Sequence, residues 1–243
     1  MVFCIPIEKQ LPKNASKLDA APNSAIFQDL ENDQKAQLEE LISYQQYPAG
    51  HLLYTPTISN DSLFILRVGR VQIYKLSPEN RILTLAILEP QAIFGELALV
   101  SQTNQDTFAK TMSDCTIGQL EREALVELVQ TYPQIALYLM NLMNQRTQEM
   151  MEKLADIAFK SVSQRLAIVL LTLSGNGVNQ APQDPKPLAI ARYTHQQLAE
   201  MIGSQRETVT KAVGKFRDLR LIRIEDGTLY LTNVQALQKI ANA

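Results

Sequence analysis

Within nine residues, Gly203-Ser204-Gln205-Arg206-Glu207-Thr208-Val209-Thr210-Lys211, the chain gathers side chains suited to reading the edge of a base pair. An arginine donates in a fork to guanine O6 and N7, a glutamate accepts from the cytosine amino group, and a lysine donates to guanine or to phosphate. Other chemistry is poorly supplied. The two cysteines, Cys4 and Cys115, and the two histidines, His51 and His195, lie far apart, which gives no disulfide framework, no Cys-x-x-Cys pair and no zinc set. A haem or gas sensor on His51 or Cys115 is the one cofactor reading left, against ordinary packing roles; no cofactor is expected. We find no nucleophile–base pair, no paired carboxylates at useful spacing and no phosphate loop, so an enzyme is not expected. Glu96 reads as a loop-organising residue rather than a catalytic one.

The elements around those residues decide whether they form a reader. Thr194 is a good N-cap for a helix over 196–202, and Gly203 supplies the positive φ that ends it. Ser204 is expected to cap the next helix, with Glu207 three residues on completing a capping box. Leu198, Ile202, Val209, Val213 and Phe216 supply the apolar contacts between the two helices, leaving Gln205, Arg206, Glu207, Thr210 and Lys211 on the outside. A hairpin follows: 221–225, the Asp226-Gly227 turn, then 228–231. Helix-turn-helix plus hairpin is a winged helix, whose second helix enters the major groove of DNA. The rival is a barrel protein whose winged helix makes protein contacts.

Charge is divided in a way that fits DNA. The net charge is −2, but residues 160–243 hold 11 Lys and Arg against 6 Asp and Glu, so the basic excess lies with the winged helix. No apolar run reaches the roughly 18 residues of a membrane span, and residues 1–10 make a poor signal peptide; a cytoplasmic protein is expected, with no membrane partner.

Residues 1–24, with Pro6, Pro12 and Pro22, read as an extended arm. Helical spacing follows over 25–43, and from Pro48 to Leu120 come short apolar runs at 51–54, 62–68, 71–76, 81–88, 109–112 and 116–120, separated by turns. That pattern predicts an antiparallel sandwich or jelly-roll β-barrel, in a domain placed at 25–132. After Pro133 the positions Ala136, Met140, Met143, Thr147, Met150, Leu154 and Ile157, apolar but for Thr147, alternate by four and three, a coiled-coil seam over 133–160 that predicts a parallel homodimer; the competing reading is a helix that packs this stripe on its own barrel. The winged-helix domain is placed at 161–243, with a helix over 163–173, a proline-containing loop to Pro187, and a hinge over 158–163. The fold class is thus α+β: barrel, long dimerisation helix, C-terminal winged helix.

This order, with Phe94-Gly95-Glu96-Leu97-Ala98-Leu99 and the Gly203–Thr210 motif, resembles the Crp/Fnr superfamily of bacterial regulators over about residues 25–240. The resemblance implies double-stranded DNA, a second copy and RNA polymerase as partners, and a TGTGA-like palindrome in which Arg206 meets a guanine and Glu207 a cytosine. Lys211 stands where relatives have a second base-reading arginine and lacks its forked donors. Members that bind cyclic nucleotides carry an Arg-Ser pair for the phosphate; here the stretch 102–108 has no arginine and sets Asp106 near that position. Their Thr-Ser contact to adenine becomes Met150-Met151. An effector other than cAMP, or none, is expected. The nitrogen-regulator branch, which senses 2-oxoglutarate, resembles this chain at Phe94-Gly95 and at an arginine aligned with Arg146. A small carboxylate between Phe94, Gly95, Glu96, Leu97, Arg146 and Met150 is therefore one expectation, and an Arg146 paired with Glu149 or Glu152 is the other.

Overall fold

The computed structural model describes residues 38–56, 61–95, 106–175, 188–190 and 192–243. The arm, most of the first helical stretch, Glu96, Leu97 and most of the 102–108 segment lie outside the described residues.

Among the described residues, eight strands lie in the N-terminal half: β1 (Ser43–Tyr47), β2 (Leu52–Tyr54), β3 (Ser62–Val68), β4 (Val71–Leu76), β5 (Ile82–Leu88), β6 (Ile93–Phe94), β7 (Phe108–Thr111) and β8 (Cys115–Glu121). They form two antiparallel four-stranded sheets, β1-β8-β3-β6 and β2-β7-β4-β5. The apolar run of β3 explains how the halves fit together. Phe64 and Leu66 join Tyr54, Val71, Phe94, Ala109 and Ile117 in the core between the sheets. Leu63 and Ile65, on the other face, join Leu120 and helical residues in a second core. A strand buried on both faces needs such a run rather than a clean alternation.

Three helices follow: α1 (Arg122–Thr131), α2 (Pro133–Phe159) and α3 (Val162–Leu173). Pro133 sits at the start of α2, where its missing N–H is not needed. Leu125 and Leu128 of α1 and Ile135 and Leu139 of α2 close the second core. Between α2 and α3 only Lys160 and Ser161 are non-helical, so the hinge is shorter than the expected 158–163. Ser161 and Gln164 form a capping box, and Arg165 Nη1 donates across the joint to the carbonyls of Ile157 (3.1 Å) and Lys160 (2.9 Å). The end of α2 is thereby satisfied by a side chain of α3.

The remaining elements are β9 (Leu188–Ile190), α4 (His195–Ile202), α5 (Arg206–Asp218), β10 (Ile222–Glu225), β11 (Thr228–Leu231) and α6 (Val234–Ala241). β10, β11 and β9 form an antiparallel sheet in that order. Its apolar residues and those of α3 to α6 share a third core around Leu166, Leu170, Val209, Phe216 and Leu237. The expected barrel, long helix and winged helix are all present.

Candidate nucleic-acid interface

Thr194 caps α4 as expected. Its Oγ1 accepts from the Gln197 N–H at 3.1 Å, and the Gln197 side chain accepts from the Thr194 N–H at 2.8 Å. Gly203 ends the helix at φ 62 and ψ 50, a left-handed conformation costly for any residue with a Cβ. The next residue departs from expectation. The Ser204 N–H donates back to the Ala199 carbonyl at 3.0 Å, so Ser204 closes α4 and does not open α5. The N-cap of α5 is Gln205, with no side-chain capping bond, and the expected Ser204–Glu207 box is absent. The physical reason is the tightness of the turn, since Ser204 is already committed to the helix before it.

Helix α5 is divided by face. Val209, Ala212, Val213 and Phe216 are buried in the third core, while Gln205, Arg206, Glu207, Thr210 and Lys211 are exposed. Lys215 and Arg217 occupy its last turn, next to the negative end of the helix dipole. Arg206 and Glu207 stand one turn before Thr210 and Lys211, so the four project from one side. Sequence reasoning gave no function to His195, yet its Nδ1 lies 2.9 Å from Thr210 Oγ1, which also donates to the Arg206 carbonyl at 2.9 Å. The first helix of the motif thus holds a residue of the second. The only available signal was the position of His195 directly after the Thr194 cap.

The hairpin beside α5 turns at Asp226 and Gly227, both at positive φ (49 and 77). The positive φ at Gly227 favours glycine, and a Cβ there would displace the Arg192 guanidinium, 2.5 Å away. Arg192 donates to the Asp226 carbonyl and braces the turn. Arg223 pairs with Glu225 at 2.9 Å and lies over the Tyr230 ring at 4.8 Å.

The motif also touches the barrel. Arg70, at the β3–β4 turn, donates to the Tyr193 hydroxyl at 2.8 Å, and Leu83 and Ile157 approach Gly203. Burial raises the Tyr193 pKa above its usual value, with the Arg70 guanidinium opposing. Ile87 of β5 packs on the winged-helix core.

The residues named for an effector are only partly brought together. Phe94 is buried and stacks on Phe64 with centroids 5.0 Å apart, so its ring serves the core. Arg146 leans from α2 onto the barrel and donates to the Ile93 carbonyl, one residue before Phe94 and two before Gly95. Met150 is 53 % exposed. Asp106 pairs with Lys75 of β4. One turn further along α2, sequence reasoning missed Lys153, which reaches the Thr84 and Leu85 carbonyls of β5; burial lowers its pKa. Its signal was a second stripe on α2, Ile135, Leu139, Leu142, Arg146 and Lys153, that faces the barrel.

Most of the expected seam stays exposed beside this packing, at Met140, Thr147, Met150, Leu154 and Ile157. Ala136 and Met143 are half-buried, and Ile157 lies 3.5 Å from where a Cβ on Gly203 would stand. The open apolar residues are Leu137, Met140, Met150, Met151 and Leu154, with Thr147 among them donating to the Met143 carbonyl at 2.9 Å.

Comparison with known proteins agrees with this architecture. Residues 44–132 match the cyclic nucleotide-binding domain model, and residues 164–240 match the Crp-like helix-turn-helix domain model. The chain is 27 % identical over 219 residues to the CRP-like cAMP-activated global transcriptional regulator of Mycobacterium tuberculosis, covering 90 % of this chain and 96 % of that one. It is 24 % identical over 204 residues to the global nitrogen regulator of Synechococcus elongatus, covering 82 % and 89 % of the two chains. Among solved structures, a CRP/FNR-family transcriptional regulator from Thermus thermophilus superposes with a TM-score of 0.65 at 26 % identity, covering 83 % of this chain and 99 % of that one. With both halves matched in the same order, and with an exposed reading helix beside a braced hairpin, the chain belongs to the Crp/Fnr superfamily of DNA-binding transcriptional regulators.

Proposed function

We propose that this regulator acts as a homodimer on a palindromic duplex with TGTGA-like half-sites, each α5 lying in a major groove. Arg206 donates to a guanine, Glu207 accepts from a cytosine, and Gln205, Thr210 and Lys211 complete the base-side contacts. Thr194 and Ser204 stand at the backbone side of the motif. The observation that carries the reading is the division of α5, whose polar residues are exposed together while Val209, Val213 and Phe216 hold it to the core. Two such helices reach half-sites one turn apart when a two-fold axis relates them, and the open apolar row of α2 supports that axis. The division into an arm (1–24), barrel (25–132), dimerisation helix (133–160) and winged-helix domain (161–243) belongs to the same proposal, as do RNA polymerase as a partner and the cytoplasm as the place of action.

For the barrel we propose an effector other than cAMP. An anionic phosphate at the Asp106 position meets a carboxylate paired with Lys75 instead of a guanidinium, so the bidentate charge-assisted contact is missing. Arg146, which donates to the Ile93 carbonyl next to Phe94 and Gly95, suits a small carboxylate of the 2-oxoglutarate kind; Met150 on the same helix, and Glu96 and Leu97 by their place in the sequence motif, complete the proposal.

Arg206→Ala tests the DNA reading. The expected cost is about 1–3 kcal/mol on a TGTGA-like site, measured by gel-shift titration. Equal affinity of variant and parent removes Arg206 from the reading.

A further inference from the structure

We infer that Thr210 reads a thymine through its methyl group, with its hydroxyl held inside the protein by His195 and by the Arg206 carbonyl. This rests on the DNA reading above and specifies the chemistry of one of its contacts. Thr210 Oγ1 lies 2.9 Å from His195 Nδ1 and 2.9 Å from the Arg206 carbonyl oxygen. The hydroxyl has one proton. If it goes to the carbonyl, His195 donates from Nδ1 into a lone pair of Oγ1; if it goes to Nδ1, the imidazole is the acceptor. In both arrangements the proton ends on a protein acceptor, and none remains for guanine N7 or O6, adenine N7 or thymine O4.

Thr210 is nevertheless exposed, on the face it shares with Arg206, Glu207 and Lys211. The tetrahedral Cβ turns the methyl away from the two partners of the hydroxyl, so the methyl is what a groove on this face meets. The thymine 5-methyl is the apolar mark of the major groove, and threonine methyls are among the groups that contact it. Its burial against another methyl is worth about fourfold in affinity. His195 is a positioning residue: without it, Oγ1 keeps only the carbonyl, and the rotamer that presents the methyl loses a constraint.

The test uses the full-length protein and a duplex selected by it from a random pool, with each thymine replaced singly by deoxyuridine, which lacks only the methyl. At one half-site thymine and its symmetry mate, the parent is expected to bind the uracil duplex about fourfold more weakly. Thr210→Val, which keeps the methyl and loses the hydroxyl but is held in one helical rotamer by its two methyl branches, retains that ratio. Thr210→Ser, which keeps the hydroxyl and loses the methyl, brings it to one. His195→Ala lowers the ratio and His195→Asn restores it; phosphate contacts made by His195 cancel from a ratio of two duplexes. A parent ratio of one at every thymine, or a Thr210→Ser protein that keeps the preference, overturns the assignment. An unchanged ratio in His195→Ala overturns its positioning role. Failure to select any duplex overturns the DNA reading itself, and the thymine contact with it.

Discussion

The two halves of the molecule place their polar and apolar groups in opposite ways. In the winged helix, α5 turns Arg206, Glu207, Thr210 and Lys211 outward and closes Val209, Val213 and Phe216 into the core. In the N-terminal half, α2 turns Arg146 and Lys153 inward onto barrel carbonyls and leaves Met140, Met151, Leu154 and Phe159 open at 66 %, 65 %, 68 % and 86 % exposure. Each exposed face describes a missing partner. A row of hydrogen-bond donors and acceptors with basic neighbours fits a polyanion with readable edges, and a row of apolar side chains fits another such row. The same criterion, applied to two helices of one chain, underlies the proposals of DNA for one and of a second copy for the other.

The largest effect should come from charging the apolar row. Met151→Glu combined with Leu154→Glu sets carboxylates into the proposed seam and is expected to weaken self-association at least about a hundredfold, read by sedimentation equilibrium. The circular dichroism of the chain should stay unchanged, because both side chains are open to solvent in the single chain. A variant that sediments like the parent removes this row from the dimer interface and ends the contrast between the helices.

In the winged helix, Thr194→Ala removes the cap of α4. The expected loss is about 1 kcal/mol of stability, seen in denaturant unfolding, and a matching loss in the barrel signal would show that the halves unfold together. The contact between Arg70 and Tyr193 is what would carry such coupling.

A smaller effect distinguishes the barrel half by pH. Tyr44 is pushed up to about 12, first by burial and then by the Glu39 carboxylate, with Arg67 opposing; the Arg67 guanidinium lies 4.1 Å over its ring. An unfolded tyrosine ionises near 10, so between pH 10 and about 12 the unfolded chain sheds a proton that the native one keeps, and stability falls as pH rises. Tyr44→Phe should make that fall shallower in urea titrations across this range. An equally steep fall in the variant assigns the loss to other groups.

Much of this contrast was legible in the residues themselves, for physical reasons that also explain the gaps. Strands such as Ser62–Val68 and Val71–Leu76 were readable because their apolar runs are long and end at turn residues. β1, Ser-Tyr-Gln-Gln-Tyr, lies at a sheet edge with neither face fully buried, so it lacks an apolar period. β6 has two residues, and β9 gains its identity only by pairing with β11. The C-terminal helix had a usable signal in Asn233, whose side chain accepts from the Ala236 N–H. For the candidate site, capping and glycine placement located α4 and α5, but two tertiary facts were hidden: the closure of α4 by Ser204 and the reach of His195 to Thr210. Helix α2 carries two stripes, and periodicity alone does not say which one the barrel takes: Ile135 and Leu139 go to the barrel core, while Met140, Met150 and Leu154 of the expected seam stay exposed.

The central claim, that the winged helix reads duplex DNA by sequence, is tested most directly by measuring the affinity of the full-length protein for a selected duplex and for its scrambled counterpart across a salt series. The expected result is a steep fall of affinity with salt on both duplexes and at least roughly a thousandfold preference for the selected one. A salt slope near zero, or equal affinity for the two duplexes, contradicts it.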